Sequence, residues 1–189
     1  MIEALILFAT LGIFAGLIAG MFGVGGGIIT VPVLVACFIQ YGFEDAIMIH
    51  MAVGTSLGCI VFTGISSAYA HRQKNAINYK FFKPIALGIV IGAFLGALFA
   101  VQLNGNILKI IIGIFALFVA IQMGINREIE FKKRAERNKE PYFVGTGIGF
   151  ASSILGIGGG IFSVPYLKAS GLTMTSSIGT SAACGIPIA

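Results

Sequence analysis

Charge is what this sequence has least of. Asp, Glu, Lys and Arg make up 10% of its residues, against 57% hydrophobic ones. A soluble domain carries about 25% charged residues, so this chain cannot cover a water-facing surface and reads as integral to a membrane. The few charges are unevenly spread. Ten of the twelve Lys and Arg lie in two stretches, residues 71–83 and 127–140. That is how a membrane protein places its loops, so the net charge of +5 is no nucleic-acid footprint. None of the seven acids lies inside an apolar run. Without an intramembrane acid, a nucleophile–base pair or a ligand cluster, we expect neither an enzyme nor a bound metal or cofactor. The three cysteines, Cys37, Cys59 and Cys184, sit in apolar runs at spacings that fit no metal site. They read as small buried thiols. A basic n-region is also lacking: the N-terminus carries Glu3 and no Lys or Arg, so residues 4–22 read as a retained span and not a signal peptide.

Glycine is what the chain does have, and it is arranged. Residues 16–34 read GLIAGMFGVGGGIITVPVL, and residues 149–167 read GFASSILGIGGGIFSVPYL. Nine of the nineteen positions are identical at an offset of 133, including Gly23, Gly25, Gly26 and Gly27 with their mates Gly156, Gly158, Gly159 and Gly160. A second echo, Gly54-Thr55-Ser56 with Cys59, returns as Gly179-Thr180-Ser181 with Cys184 at an offset of 125. Such a repeat governs any reading of the fold. No Lys-Ser or Lys-Thr follows the glycines, which excludes a P-loop, and no well-placed acid supports a dinucleotide site.

A hydrocarbon core of about 30 Å needs about 20 apolar residues as helix. Residues 4–22, 46–70, 81–101 and 107–125 meet that length, whereas 28–39 is short, holds Pro32 and reads as a half-span. Gly88, Gly92 and Gly96 recur every four residues, a pattern that lets a neighbouring helix approach closely. Residues 142–157 open the second copy, 161–167 form its short piece, and a new apolar run begins near Met174. The expected units are a first transmembrane repeat at 1–126, a charged cytoplasmic loop at 127–140 and an incomplete second repeat at 141–189.

The positive-inside rule puts both basic stretches in the cytoplasm. The turn at 104–106, the acidic pair Glu44-Asp45 and the N-terminus then lie outside. The second copy starts inside, so the copies enter the membrane from opposite faces. Lys168 falls where Glu44-Asp45 fell, with its charge reversed. The expected fold class is therefore an all-α polytopic membrane protein, inverted repeats with Gly-broken helices, the architecture of secondary transporters with a site at the repeat interface.

Bare backbone at membrane depth must be buried in protein or line a wet cavity. Helices starting at Ile28 and Ile161 would aim free N–H groups and a positive dipole end at such a cavity. That describes an anion site without a charged residue. The candidate site residues are Gly23, Gly25, Gly26, Gly27, Gly158, Gly159 and Gly160, with the hydroxyls of Thr30, Thr55, Ser56, Ser163, Thr180 and Ser181 as neutral donors. The alternative is that the glycines serve helix crossing and the hydroxyls bond their own backbone. His50, near the start of its span, reads as a packed interfacial residue or as a proton-coupling group.

At these residues the chain resembles the TauE/SafE family, also called the sulfite exporter or toluene-sulfonate uptake permease family. The marks are GMFGVGGGIITVP at 20–32, AVGTSL at 52–57, ILGIGGGIFSVP at 154–165 and IGTSAA at 178–183. The resemblance implies a multi-pass protein of the inner (cytoplasmic) membrane that moves small anions, often sulfur-containing ones such as sulfite or sulfonates. The partners it implies are that substrate and the lipid bilayer, with a homo-oligomer compatible and nucleic acid excluded. The rival readings are a non-transporting scaffold or accessory subunit, an inactive fragment of a transporter, and a membrane-embedded enzyme. One departure from the pattern is the end of the chain. Counterparts of 81–101 and 107–125 are missing from the second copy, so we expect a C-terminally truncated chain.

Overall fold

The computed structural model describes residues 8–14, 16, 27–124 and 140–189. Every regular element among them is helical, as the apolar runs dictate, and no strand occurs. After a helical stretch at 8–14 come α1 (Gly27–Gln40), α2 (Asp45–Gln73), α3 (Tyr79–Gln102) and α4 (Gly105–Gly124). The second copy supplies α5 (Glu140–Leu155), α6 (Gly160–Ala169), α7 (Met174–Cys184) and a 3₁₀ turn at Ile186–Ile188. Among the described residues three stretches are long and apolar enough to cross a membrane: Ile47–Gln73, Tyr79–Gln102 and Gly105–Gln122. With 14 and 10 residues, α1 and α6 reach about 21 and 15 Å at 1.5 Å per residue. Both fall short of a full crossing, as their glycine and proline content predicted.

Polar residues mark the helix ends. The Asn78 side chain accepts from Lys80 N at 3.1 Å to start α3. Thr173 does the same for α7, accepting from Ser176 N at 3.3 Å. The end of α2 is closed by Asn75 in the left-handed region at φ 51, with Ala76 N donating back to His71 O at 3.0 Å. That closure satisfies carbonyls a helix end leaves bare. It also carries α2 three residues past its expected end at 70, so little of the basic stretch is loop. In contrast, the apolar run that begins near Met174 is α-helical for only 11 residues, in α7. That helix stops at Cys184 and passes through Gly185 into the 3₁₀ turn that holds Pro187, which has no N–H to continue the α-helical ladder.

The tightest packing joins α3 to α5. A Cβ built on Gly88 or Gly92 would run into the carbonyls of Tyr142 and Thr146, and one on Gly96 would lie 2.6 Å from Phe150 O. The partner helix answers in kind: a Cβ on Gly145 or Gly149 would strike the carbonyls of Ile85 and Ile89. Numbers rise together along both helices, so they run parallel. Two cores flank this seam. One gathers Val31, Leu34, Met48, Ile49, Leu108 and Ile157 from both copies. The other gathers Phe81, Ile85, Ile89, Ile148, Leu167 and Ile188. The outside is apolar too, with Phe62, Val101 and Phe143 each more than three-quarters exposed, as suits a lipid-facing surface.

The two turns that follow the half-helices lie at opposite ends of α3. His50 Nε2, early in α2, is 3.1 Å from Ala100 O near the end of α3. That sets the α1–α2 turn at the C-terminal end. Ser176 Oγ, early in α7, donates to Ala76 O at 3.1 Å just before α3 begins. That sets the α6–α7 turn at the N-terminal end. The two half-helix units therefore stand inverted, as the sign change from Glu44 to Lys168 predicted.

Candidate functional site

The second glycine cluster breaks the chain between α5 and α6. Gly156 adopts φ +68 and Ile157 N donates to Ser152 O at 3.0 Å, which closes α5 with a glycine in the left-handed region. Gly159, at φ +71, caps α6, and its carbonyl accepts from Phe162 N at 3.1 Å and Ser163 N at 2.9 Å. The first N–H groups of α6, on Gly160 and Ile161, have no carbonyl inside the helix to bond. They form the positive end of its dipole.

Both copies build the walls of this break. Gly27, the first residue of α1, sits so close that a Cβ on it would strike Gly156 O and lie 2.7 Å from Ile157 Cα. Gly156 also faces α2: a Cβ there would lie 3.2 Å from Val53 Cα. On the other side Gly185 approaches Gly158 O, with 3.7 Å from its Cβ position to that oxygen. Gly158, Gly159 and Gly160 are all buried. Gly23, Gly25 and Gly26 of the first cluster lie outside the described residues.

The hydroxyls behave differently from the neutral donors expected. Ser56 Oγ donates to Gly156 O at 2.8 Å, reaching across the repeats. Ser163 Oγ donates to Gly159 O at 2.9 Å and lies 2.6 Å from Ser181 Oγ. With the Ser163 proton on Gly159, Ser181 is the donor of that pair. Ser56 and Ser163 thus commit their protons to glycine carbonyls of the break, and Ser181 commits its proton to Ser163. Thr55 and Thr180 do not reach the break at all. Thr55 is exposed, and Thr180 Oγ1 accepts from Asn78 N at 2.9 Å at the α2–α3 turn. Helix neighbours point about 100° apart, so each Thr-Ser pair can aim only one hydroxyl at the glycines. Thr30 is half-buried on α1.

One hydroxyl at the break escapes the repeat pattern. Ser152 is fully buried on the last turn of α5, and its Oγ has no hydrogen-bond partner among the described residues. It lies 3.3 Å from where a Cβ on Gly159 would stand. The available signal was a polar pair, Ser152-Ser153, in an apolar run where the first copy has Ala19-Gly20. Among the described residues no three His, Cys, Asp or Glu side chains gather as a metal site.

Comparison with known proteins follows the same lines. The family model described as sulfite exporter TauE/SafE matches residues 8–189. A "probable membrane transporter protein" of Haemophilus influenzae is 33% identical over 187 residues, 98% of this chain and 71% of the relative. One of Methanocaldococcus jannaschii is 35% identical over 160 residues, 82% of this chain and 58% of the relative. The Bacillus subtilis protein named probable membrane transporter protein YunE is 31% identical over 186 residues, 86% of this chain and 66% of the relative. The chain thus spans 58–71% of the length of these three relatives. No solved structure matches it.

Proposed function

Since this chain belongs to the sulfite exporter TauE/SafE family of membrane transporters, we propose that it moves small, sulfur-containing anions such as sulfite or a sulfonate. It does so as a multi-pass protein of the cytoplasmic membrane, by alternating access around the glycine breaks, and carries out no catalysis. The observation that carries this reading is the break itself. Backbone N–H groups at the start of α6 have no partner inside the helix, the half-helix of the other copy begins beside it at Gly27, and no acid in the chain lies inside an apolar run. A helix N-terminus facing a protein-lined break favours an anion. The serines fit the same role indirectly. By taking up the carbonyls of Gly156 and Gly159, they remove acceptors that would repel negative charge.

The test is flux. The purified chain is reconstituted in liposomes loaded with sulfite, and efflux is compared with empty liposomes and with a zwitterion such as threonine. Sulfite or sulfonate movement above the empty control supports the reading. Liposomes that retain every anion tried, with the protein inserted and folded, overturn it and leave the non-transporting scaffold.

A further inference from the structure

Three serine hydroxyls at the break are bonded, and one fully buried hydroxyl beside them is not. Ser56, Ser163 and Ser181 are engaged in hydrogen bonds within the protein. Ser152 Oγ is not, although the residue is 0% exposed. A buried hydroxyl left without a partner is destabilising, and the same hydroxyl facing an anion makes a charge-assisted bond about twice as strong as a neutral one. Its location is specific: beside Gly159, the residue that caps α6, on the last turn of the helix that enters the break. The side chain of Ile188 covers the same spot, its Cδ1 2.5 Å from the Cβ position of Gly159. Ile188 offers only methyl and methylene groups, which can turn aside without breaking a hydrogen bond.

We propose that Ser152 is the substrate-contacting hydroxyl of the second break, donating its uncommitted proton to an oxygen of a small oxyanion held at the N-terminus of α6. The proposal rests on the anion-transport reading above and adds to it a specificity-determining residue. The donor has no twin, because its repeat mate is Ala19. The site is therefore lopsided within an otherwise paired architecture. Ile188 is the lid over it, and the ligand displaces that side chain on binding.

The role has a signature that a merely structural serine would not produce. In Ser152→Ala the ligand-free protein loses a buried unpartnered hydroxyl and no bond. Its melting temperature should rise, by about 2–4 °C. The same variant should bind sulfite about tenfold more weakly. Ser163→Ala is the contrast: it strips a bonded hydroxyl, so its ligand-free melting temperature should fall. Ile188→Ala should uncover the site and tighten sulfite binding. The experiment measures melting temperature against sulfite concentration for the purified chain and these three variants, with reconstituted sulfite efflux alongside. A wild-type protein that neither moves nor binds sulfite or a sulfonate defeats the transport reading and this proposal with it. A wild-type protein that responds, with Ser152→Ala responding equally, defeats the proposal alone. So does a fall in the ligand-free melting temperature of Ser152→Ala, since that would mean the hydroxyl already has a structural partner, such as a buried water.

Discussion

Ser56 and Gly156 illustrate how much rests on single hydrogen bonds when backbone is unwound inside an apolar core. The Gly156 carbonyl cannot reach a helix partner, and Ser56 Oγ takes it at 2.8 Å. Ser56→Ala should leave that oxygen bare and lower stability by about 1–3 kcal/mol, read as a drop in melting temperature in detergent. Gly159→Ala should do comparable harm by another route. Its φ of +71 disfavours any side chain, and the new Cβ would stand 2.5 Å from Ile188 Cδ1. At this scale the sequence was only partly legible. The repeat pointed to Ser56, Ser163 and Ser181, and all three do reach the second break or its capping helix. The repeat did not show their bonds, Ser56 and Ser163 to carbonyls and Ser181 to Ser163, because a proton's destination depends on which acceptor lies within 3 Å or so. Ser152 carries no signal in the repeat, because its mate is Ala19.

Helix against helix, the seam between α3 and α5 makes a sharp claim about glycine. Gly149 faces Ile89 O and Ala93 N of α3, whereas Gly147, two residues earlier on the same helix, has nothing within 4 Å of its Cβ position. Gly149→Ala should therefore force the two backbones apart and reduce the yield of folded protein. Gly147→Ala should be tolerated or stabilise by about 0.5–1 kcal/mol, because glycine in a helix interior is costly and the new methyl meets no obstacle. Measuring the two variants side by side by size-exclusion yield and thermal scan checks the pair; equal behaviour would mean the helices are not in backbone contact. The close approach of some neighbour was legible in the four-residue spacing of Gly88, Gly92 and Gly96. The identity of that neighbour was legible as well, since Gly145 and Gly149 keep the same spacing. The two signals overlap, because Gly149 also opens the repeat at 149–167. The length of α7 is not legible from its mate, because α2 runs unbroken and has Phe62 where Pro187 follows α7.

Across the whole molecule, the arrangement of turns ties geometry to charge. The α2–α3 turn and the α6–α7 turn share the N-terminal end of α3, through Ser176 Oγ on Ala76 O and Asn78 N on Thr180 Oγ1. The basic residues Lys74 and Lys80 therefore stand at the same end as Lys168. The α1–α2 turn with Glu44 stands at the other end, beside the turn at Asn104. A positive charge retained at one face orients a membrane protein, since cytoplasmic loops hold the excess of Lys and Arg. All three lysines should thus face the cytoplasm, with Glu44 and Asn106 outside. The lysines are too far along the chain for this to follow from one loop alone, so it tests the inversion itself. Single cysteines at positions 74, 106 and 168, each in a chain with Cys59 replaced by alanine, can be probed on intact cells with a membrane-impermeant maleimide. Positions 74, 106 and 168 are all exposed, so shielding would come from the membrane and not from packing. The expected pattern is labelling at 106 alone, with 74 and 168 reacting only after permeabilisation. Labelling at 168 but not 74 would put the two turns on opposite faces. The half-helix units would then point the same way, and neither the inverted pair nor an alternating site between them could stand.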